Sequence, residues 1–98
     1  MLVLNVIFKC APGTREELRE LVRAEGIDTA SRSEEGNYKY EFFMSTEDPN
    51  DILLIEWWKD VDAWMAHRTL PHYEKLNGLK KGRVLSAEIR KYFTDEDA

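Results

Sequence analysis

The chain has 98 residues, of which 43% are hydrophobic and 34% charged, and this composition predicts one globular domain with a single core. A net charge of −5 argues against a nucleic acid partner, because a phosphate backbone repels an acidic surface. No apolar run approaches the roughly 20 residues of a membrane span, and the single cysteine, Cys10, cannot form an internal disulfide. We therefore expect a cytoplasmic protein without a membrane partner.

Hydrophobic periodicity divides the chain into strands and helices in the order βαββ(αα)β. The first strand is apolar, and Pro12-Gly13 ends it in a turn before an amphipathic helix, which Gly26 then interrupts. We expect one domain over residues 1–93 and an acidic disordered tail over residues 94–98. The predicted strands cover Leu2–Lys9, Tyr38–Met44, Ile52–Trp58 and about Arg83–Phe93, and the predicted helices begin at Thr14, Ile27, Asp60 and Pro71.

The segment from Ile55 to Tyr73 contains all three tryptophans and both histidines, which makes it the best candidate for a functional site. On one continuous helix, the spacing of His67 and His72 would point their side chains about 140° apart. Pro71 lacks an N–H and restricts the residue before it, so the first helix should stop near Thr69 and a second should start with Pro71 in its first turn. The bend could bring both imidazoles to one pocket.

Both faces of the predicted sheet are apolar. The amphipathic helices can cover only one of them, because a chain of this length has no further element for the other. In the first strand, Leu2, Leu4, Val6 and Phe8 lie on one side, and Val3 and Ile7 lie on the other. We therefore predict a two-fold homodimer in which a second copy packs sheet against sheet; the alternative is a monomer with a wet sheet face.

Polar side chains within the apolar elements are the candidate catalytic groups. If the side of its strand that carries Asn5 faces the helices, the Asn5 amide enters the space beneath the segment from Trp58 to Tyr73, where backbone, water or a ligand would satisfy it. Burial in an apolar strand would raise the pKa of Glu56 and suit it to act as a base, unless it reaches solvent or pairs with a neighbouring cation. His67 and His72 are further candidates, although single histidines more often serve packing or capping.

Aromatic side chains could form the walls of a pocket for a flat ligand, although aromatics at these spacings usually belong to the core. We expect no bound metal, because no HxH or HExxH spacing occurs and no third strong ligand is placed with the histidines. No nucleotide fingerprint is present, so we also expect no flavin or nicotinamide cofactor. Lys80, Lys81 and Arg83 form a basic cluster that is either solvated or a phosphate site. The candidate substrate-binding residues are Glu56, Trp58, Trp64, Tyr38, Tyr40 and Tyr73.

Several pieces of the sequence together carry a family resemblance. They are Asn5, Pro12-Gly13, Glu34 to Asn37, Ser45 with Glu47 to Asn50, Ile55 to Asp60, Ala66-His67 and Thr69 to Tyr73. The most specific part is the succession E-x-W-x-D, A-H and P-H-Y. With these pieces the chain resembles, over nearly its whole length, the antibiotic biosynthesis monooxygenase (ABM) family of small dimeric α/β barrels, which includes quinol monooxygenases.

The resemblance implies an α+β, ferredoxin-like βαββαβ protomer with an antiparallel sheet, helices on one face and a dimer through the sheet faces and last strand. Several relatives oxidise phenolic or quinol substrates with dioxygen, without metal or flavin. By analogy, Asn5 would orient the substrate oxygen, Trp58 or Trp64 would stack on the ring, and His67 or His72 would take the phenolic proton. The expected function is that of a cofactor-independent monooxygenase.

Two alternative functions stay open within the same resemblance. One branch of relatives isomerises a phosphorylated, sugar-like signalling molecule, and its helix segment is close to residues 59–73, with basic residues after the last helix as here. The other alternative is a non-catalytic dimer that binds a small aromatic metabolite. A haem-degrading branch does not match, because His67 and Asn77 stand where its helix tryptophan and histidine would be.

Overall fold

The computed structural model of the chain describes residues 1–95, which form four strands and four helices. The strands pair antiparallel throughout, and the first strand in the sequence lies between the third and the fourth. This arrangement confirms the predicted ferredoxin-like α+β fold. The elements are β1 (Leu2–Cys10), α1 (Arg15–Ala24), α2 (Ile27–Arg32), β2 (Asn37–Met44), β3 (Asp51–Trp58), α3 (Val61–His67), α4 (Pro71–Lys80) and β4 (Val84–Phe93).

The core lies between one face of the sheet and the helices. Successive residues of a strand point to opposite faces, so the alternating burial of β1 and β3 identifies the face that the helices cover. Leu18 and Val22 of α1, Ile27 of α2 and Leu76 of α4 pack in the same buried cluster. The strand residues of this cluster are Leu2, Leu4, Val6, Phe8, Cys10, Tyr40, Ile52, Leu54 and Trp58.

The opposite face of the sheet carries apolar side chains that the chain itself covers only in part. Val3 and Ile7 of β1 and Leu53, Ile55 and Trp57 of β3 are half-buried on this side. The sequence expectation that both faces are apolar is therefore met within the described residues. Among these residues, no helix is long and apolar enough to cross a membrane.

Strand β4 is an edge strand, and its apolar side chains after Val84 are exposed. Ile89 is 53% exposed and Phe93 is 73% exposed, although both are large hydrophobic residues. The pairing extends one residue past the predicted domain end, because the Thr94 amide donates to the Met1 carbonyl and the amino terminus donates to the Thr94 carbonyl at 2.8 Å. Residues 96–98 of the predicted tail lie outside the described part of the chain.

Candidate functional site

A narrow cavity of about 60 Å³ lies between the sheet and helices α3 and α4. Strands β1, β3 and β4 supply an apolar floor, and Ala87 and Ile89 of β4 are the exposed part of the lining, so the mouth of the cavity lies at this edge of the sheet. The polar and aromatic side chains of the lining are Tyr40, Glu56, Trp64, His67, Tyr73 and Lys80.

The break between α3 and α4 brings the two histidines together. Helix α3 ends at His67, two residues before the predicted end near Thr69, and α4 begins with Pro71 at its first position, as the sequence predicts. The two imidazole centroids are 5.5 Å apart. Both rings meet one carboxylate oxygen, because Glu34 Oε2 lies 2.5 Å from His67 Nδ1 and 2.6 Å from His72 Nε2.

Glu34 fixes the protonation pattern of His67. A carboxylate accepts hydrogen bonds, so neutral His67 carries its proton on Nδ1 and directs the lone pair of Nε2 away from Glu34. Burial lowers the pKa of His67 because the imidazolium is desolvated, and the hydrogen bond to Glu34 opposes this shift. His67 is only 2% exposed and is enclosed by the rings of Trp58 and Tyr73, whose centroids lie 4.8 and 5.2 Å away. This is an oriented imidazole with a free basic nitrogen.

Glu56 is a buried carboxyl group on the sheet side of His67. Its Oε1 accepts a hydrogen bond from Trp58 Nε1 at 3.0 Å and lies 4.0 Å from His67 Nε2. Burial raises the pKa of Glu56 to about 7, while the Trp58 hydrogen bond opposes the rise. The alternative of a glutamate that reaches solvent is therefore wrong. The burial of Glu56 supports the prediction that its pKa is raised.

The basic cluster predicted from Lys80, Lys81 and Arg83 does not converge on one point. Arg83 Nε forms an ion pair with Glu17 at 2.8 Å, and Lys81 is exposed. Lys80 instead lines the cavity, with its Nζ 5.2 Å from the centroid of the Phe8 ring. The three side chains thus do not make a shared phosphate site.

Glu34, His67 and His72 also form a set of potential metal ligands, because their ligand atoms lie within 4.8 Å of one another. The sequence-based expectation of no metal relied on the absence of HxH and HExxH spacings and on the lack of a third ligand, and Glu34 removes the second of these premises. The separations of 2.5 and 2.6 Å are hydrogen-bond distances, shorter than the roughly 3 Å between neighbouring donors that each bind a metal at about 2.1 Å. As placed, the three side chains form a hydrogen-bonded cluster.

Two predicted site residues lie elsewhere. Asn5 belongs to the sheet face away from the helices, because Leu4 and Val6 on either side of it point into the core, so its predicted entry into the helix-side space is wrong. Tyr38 is 48% exposed and borders an open hollow with Arg19 and Arg23, outside the cavity.

The predicted aromatic walls are only partly present. Tyr40, Trp64 and Tyr73 line the cavity. Trp58 is fully buried behind Glu56, so it positions that carboxyl and packs on His67 instead of offering a face to a ligand. The Trp64 ring contacts two cations, Arg68 at 5.3 Å and Lys91 at 4.9 Å from its centroid.

Glu34 is the site residue that sequence reasoning missed. It follows α2, and the Asn37 amide donates to its carbonyl in the turn that leads to β2. Gly36 lets this turn approach α3 closely, since a Cβ at this position would lie 2.9 Å from the Ala63 Cβ. The sequence itself shows only an acidic residue two positions before a glycine, and the φ of +87° at Gly36 is known from the structure alone.

Comparison with known proteins identifies relatives of the chain. The family model described as "Antibiotic biosynthesis monooxygenase" matches residues 1–78. The chain is 35% identical over 90 residues to the Bacillus subtilis (strain 168) protein named "Putative monooxygenase YcnE", covering 91% of this chain and 90% of that protein.

Solved structures share the fold across the chain. PA3566 from Pseudomonas aeruginosa matches with a TM-score of 0.85 and 25% identity, over 95% of this chain and 92% of that one. Rv0793 from Mycobacterium tuberculosis matches with a TM-score of 0.84 and 22% identity, over 99% of this chain and 97% of that one.

Proposed function

Because the chain belongs to the antibiotic biosynthesis monooxygenase family, we propose that it is a small cofactor-independent monooxygenase that oxidises a phenolic or quinol-type substrate with dioxygen. The observation that carries the proposal is the pair formed by His67 Nε2 and Glu56 Oε1, which face each other across 4.0 Å at the cavity. Such a pair suits a reaction that starts with removal of a proton from a hydroxyl group.

The spacing of the pair fits one substrate oxygen. If a substrate oxygen lies at a hydrogen-bond distance of about 2.8 Å from both His67 Nε2 and Glu56 Oε1, the angle at that oxygen between the two atoms is about 90°. A hydroxyl oxygen tolerates this angle. His67 Nε2 takes the hydroxyl proton, and Glu34 stabilises the imidazolium that results. Glu56, with a pKa of about 7, exchanges a proton at the same point.

The reaction balances without a further reductant. The phenolate gives one electron to dioxygen, and the two radicals combine to form a C–O bond at a ring carbon that carries hydrogen. Loss of water then leaves a carbonyl on that carbon, so one oxygen atom stays in the product and the other leaves as water. The water takes the hydrogen of that carbon and the proton held by His67, and the substrate becomes a quinone.

The cavity size limits how the substrate binds. Its volume of about 60 Å³ is less than half of the roughly 150 Å³ that encloses a benzene ring. The reacting hydroxyl edge therefore fits between Glu56 and His67, while the remainder of the ring lies at the mouth over Ala87 and Ile89. Side-chain movement of Tyr73 or Trp64 would widen the same space.

Dioxygen uptake tests this function. The protein, dialysed against a chelator, is expected to consume dioxygen with at least one member of a panel of hydroquinones and anthrone-like phenols, and to place one labelled atom from ¹⁸O₂ in the product. His67→Gln should lose most of the activity, and Glu35→Gln, an exposed neighbour of Glu34, should keep it. The proposal fails if no substrate supports uptake, if hydrogen peroxide is the reduced product, or if chelation abolishes activity and metal restores it.

The proposed assembly is a homodimer through the sheet faces and the last strand. Its support is the row of half-buried apolar residues on the uncovered face, Ile55 among them, and the exposed Tyr92 of β4, which lies opposite Val3 on the same face. Light scattering should give twice the chain mass of 11.5 kDa. Ile55→Asp should weaken the dimer, whereas the matched change Met65→Asp on the outer surface of α3 should not; a stable particle of 11.5 kDa would contradict the dimer.

A further inference from the structure

We propose that Lys80 forms a subsite for an ionised carboxylate on the substrate, so that the enzyme selects phenolic acids over neutral phenols. This inference rests on the proposed function, because it places the phenolic ring in the same cavity. Lys80 is the last residue of α4, lines the cavity and is half-buried.

The ammonium group of Lys80 lacks a close counterion. Within residues 1–95 no carboxylate oxygen lies within 4.0 Å of its Nζ, whereas Lys9, Lys39 and Lys75 each have such a partner. The nearby Phe8 ring supplies only a cation–π contact. The electrostatic attraction between such a partly buried, unpaired cation and an incoming anion is stronger than that of an exposed cation, because water screens the partly buried charge less.

Burial and a neighbouring charge shift the pKa of Lys80 in opposite directions. Burial lowers the pKa of Lys80, and the charge of Glu56 raises it. Glu56 is itself protonated in part near neutral pH because its own pKa is about 7. The compensation that Glu56 gives to Lys80 is therefore incomplete at the pH at which the enzyme would work.

The surroundings favour a carboxylate over a phosphate. Phosphate sites gather several donors, and here Arg83 is committed to Glu17 while Lys81 is exposed. Lys80 also stands at the carboxyl end of α4, where the negative end of the helix dipole opposes any anion and opposes a dianion more strongly than a monoanion. One ammonium beside an apolar wall suits a single negative charge on a flat group.

The test compares ligands that share a naphthalene ring, differ in the anionic substituent and need not be oxidised by the enzyme. Binding of 1-hydroxy-2-naphthoate, 1-naphthol and 1-naphthyl phosphate is measured by equilibrium dialysis without dioxygen. The naphthoate should bind about tenfold more tightly than naphthol, as expected for one charge-assisted hydrogen bond. Lys80→Met should remove this preference without weakening naphthol binding, and Lys80→Arg should retain it.

Lys81→Met is the matched control, since it removes the same charge from the next, exposed residue. The inference is wrong if the unsubstituted protein binds naphthoate and naphthol equally, or if the Lys80→Met and Lys81→Met variants behave alike. A Lys80-dependent preference for naphthyl phosphate over naphthoate would also overturn it.

These outcomes separate the inference from the proposed function. If the protein consumes dioxygen with neutral hydroquinones but binds 1-hydroxy-2-naphthoate and 1-naphthol equally, the carboxylate subsite is refuted and the monooxygenase function stands. A Lys80-dependent preference for the acid without any dioxygen uptake would leave a binding site for aromatic acids and refute the monooxygenase.

Discussion

Replacing Glu56 with glutamine should stabilise the protein at alkaline pH and leave its stability almost unchanged in acid. Burial raises the pKa of Glu56 from 4.5 to about 7, and each pKa unit corresponds to 1.36 kcal/mol, so ionising this group in the fold costs about 3 kcal/mol. The folded state holds the Glu56 proton more tightly than the unfolded state does. The associated stability is therefore present below pH 4.5 and is lost as the pH rises through about 7.

Glutamine keeps the shape and the carbonyl acceptor for Trp58 Nε1 but carries no charge. The free energy of unfolding of Glu56→Gln should thus exceed that of the unsubstituted protein by about 3 kcal/mol at pH 8.5, with little difference at pH 4.5. Urea unfolding followed by tryptophan fluorescence, at one fixed protein concentration, measures both values. The pKa of His67 also makes stability depend on pH, but to first order this contribution is common to both proteins and cancels.

The reasoning would be refuted if the free energies of unfolding of Glu56→Gln and the unsubstituted protein differed equally at pH 4.5 and pH 8.5. It would also be refuted if Glu56→Gln were the less stable protein at pH 8.5. Glu35→Gln serves as the control, because Glu35 is exposed and adjacent to the site. Its stability should follow that of the unsubstituted protein at each pH within about 0.5 kcal/mol.

Three further substitutions test the site. Glu34→Gln removes the charge-assisted hydrogen bond that opposes the lowering of the His67 pKa, so this pKa should fall further in an NMR titration of the histidine rings; an unchanged pKa would contradict the role of Glu34. Trp58→Phe removes the hydrogen-bond donor that lowers the pKa of Glu56, so the loss of folding stability should extend to a higher pH than in the unsubstituted protein. An unchanged pH range would count against an effect of the Trp58 hydrogen bond on Glu56. Asn5→Ala should leave the rate of dioxygen uptake unchanged, because Asn5 lies on the sheet face away from the cavity. A loss of more than about tenfold would indicate that Asn5 takes part in the reaction.

The meeting of His67 and His72 was predictable because its cause is local. A proline four residues after His67 must end one helix and can start the next, and the backbone rule needs no tertiary information. The ends of the strands were predictable for the same reason, since they follow from alternation and turn residues. The structure reproduces these features closely.

The role of Glu34 was not predictable in this way. Its contact with His67 joins residues 33 positions apart in the sequence, and nothing local to either residue specifies it. It depends on how closely the turn at Gly36 approaches α3, which is a property of packing between elements. The same gap led to the expectation that the histidines lacked a third ligand-type partner.

The misplacement of Asn5 has a different cause. Alternation determines which residues of β1 share a face, but it does not say which face the helices cover. Val3 and Ile7 make the side of Asn5 apolar like the other side, so the pattern of apolar residues alone leaves either side free to face the helices. Lys9 lies on that side as well and is exposed, so the side without a charged residue was the better choice for burial.

The polar groups at the cavity differ in how well they are satisfied, and this difference indicates where chemistry takes place. Glu34 accepts two short hydrogen bonds from the histidines, so its charge is well compensated. Glu56 is more deeply buried and accepts only the hydrogen bond from Trp58 among the described residues, which leaves it with a raised pKa. A fold optimised for stability alone would place an apolar residue there, as it does at Leu54 two residues earlier on the same face. The poorly compensated carboxyl faces the free nitrogen of His67, and a substrate hydroxyl between them would satisfy both groups at once.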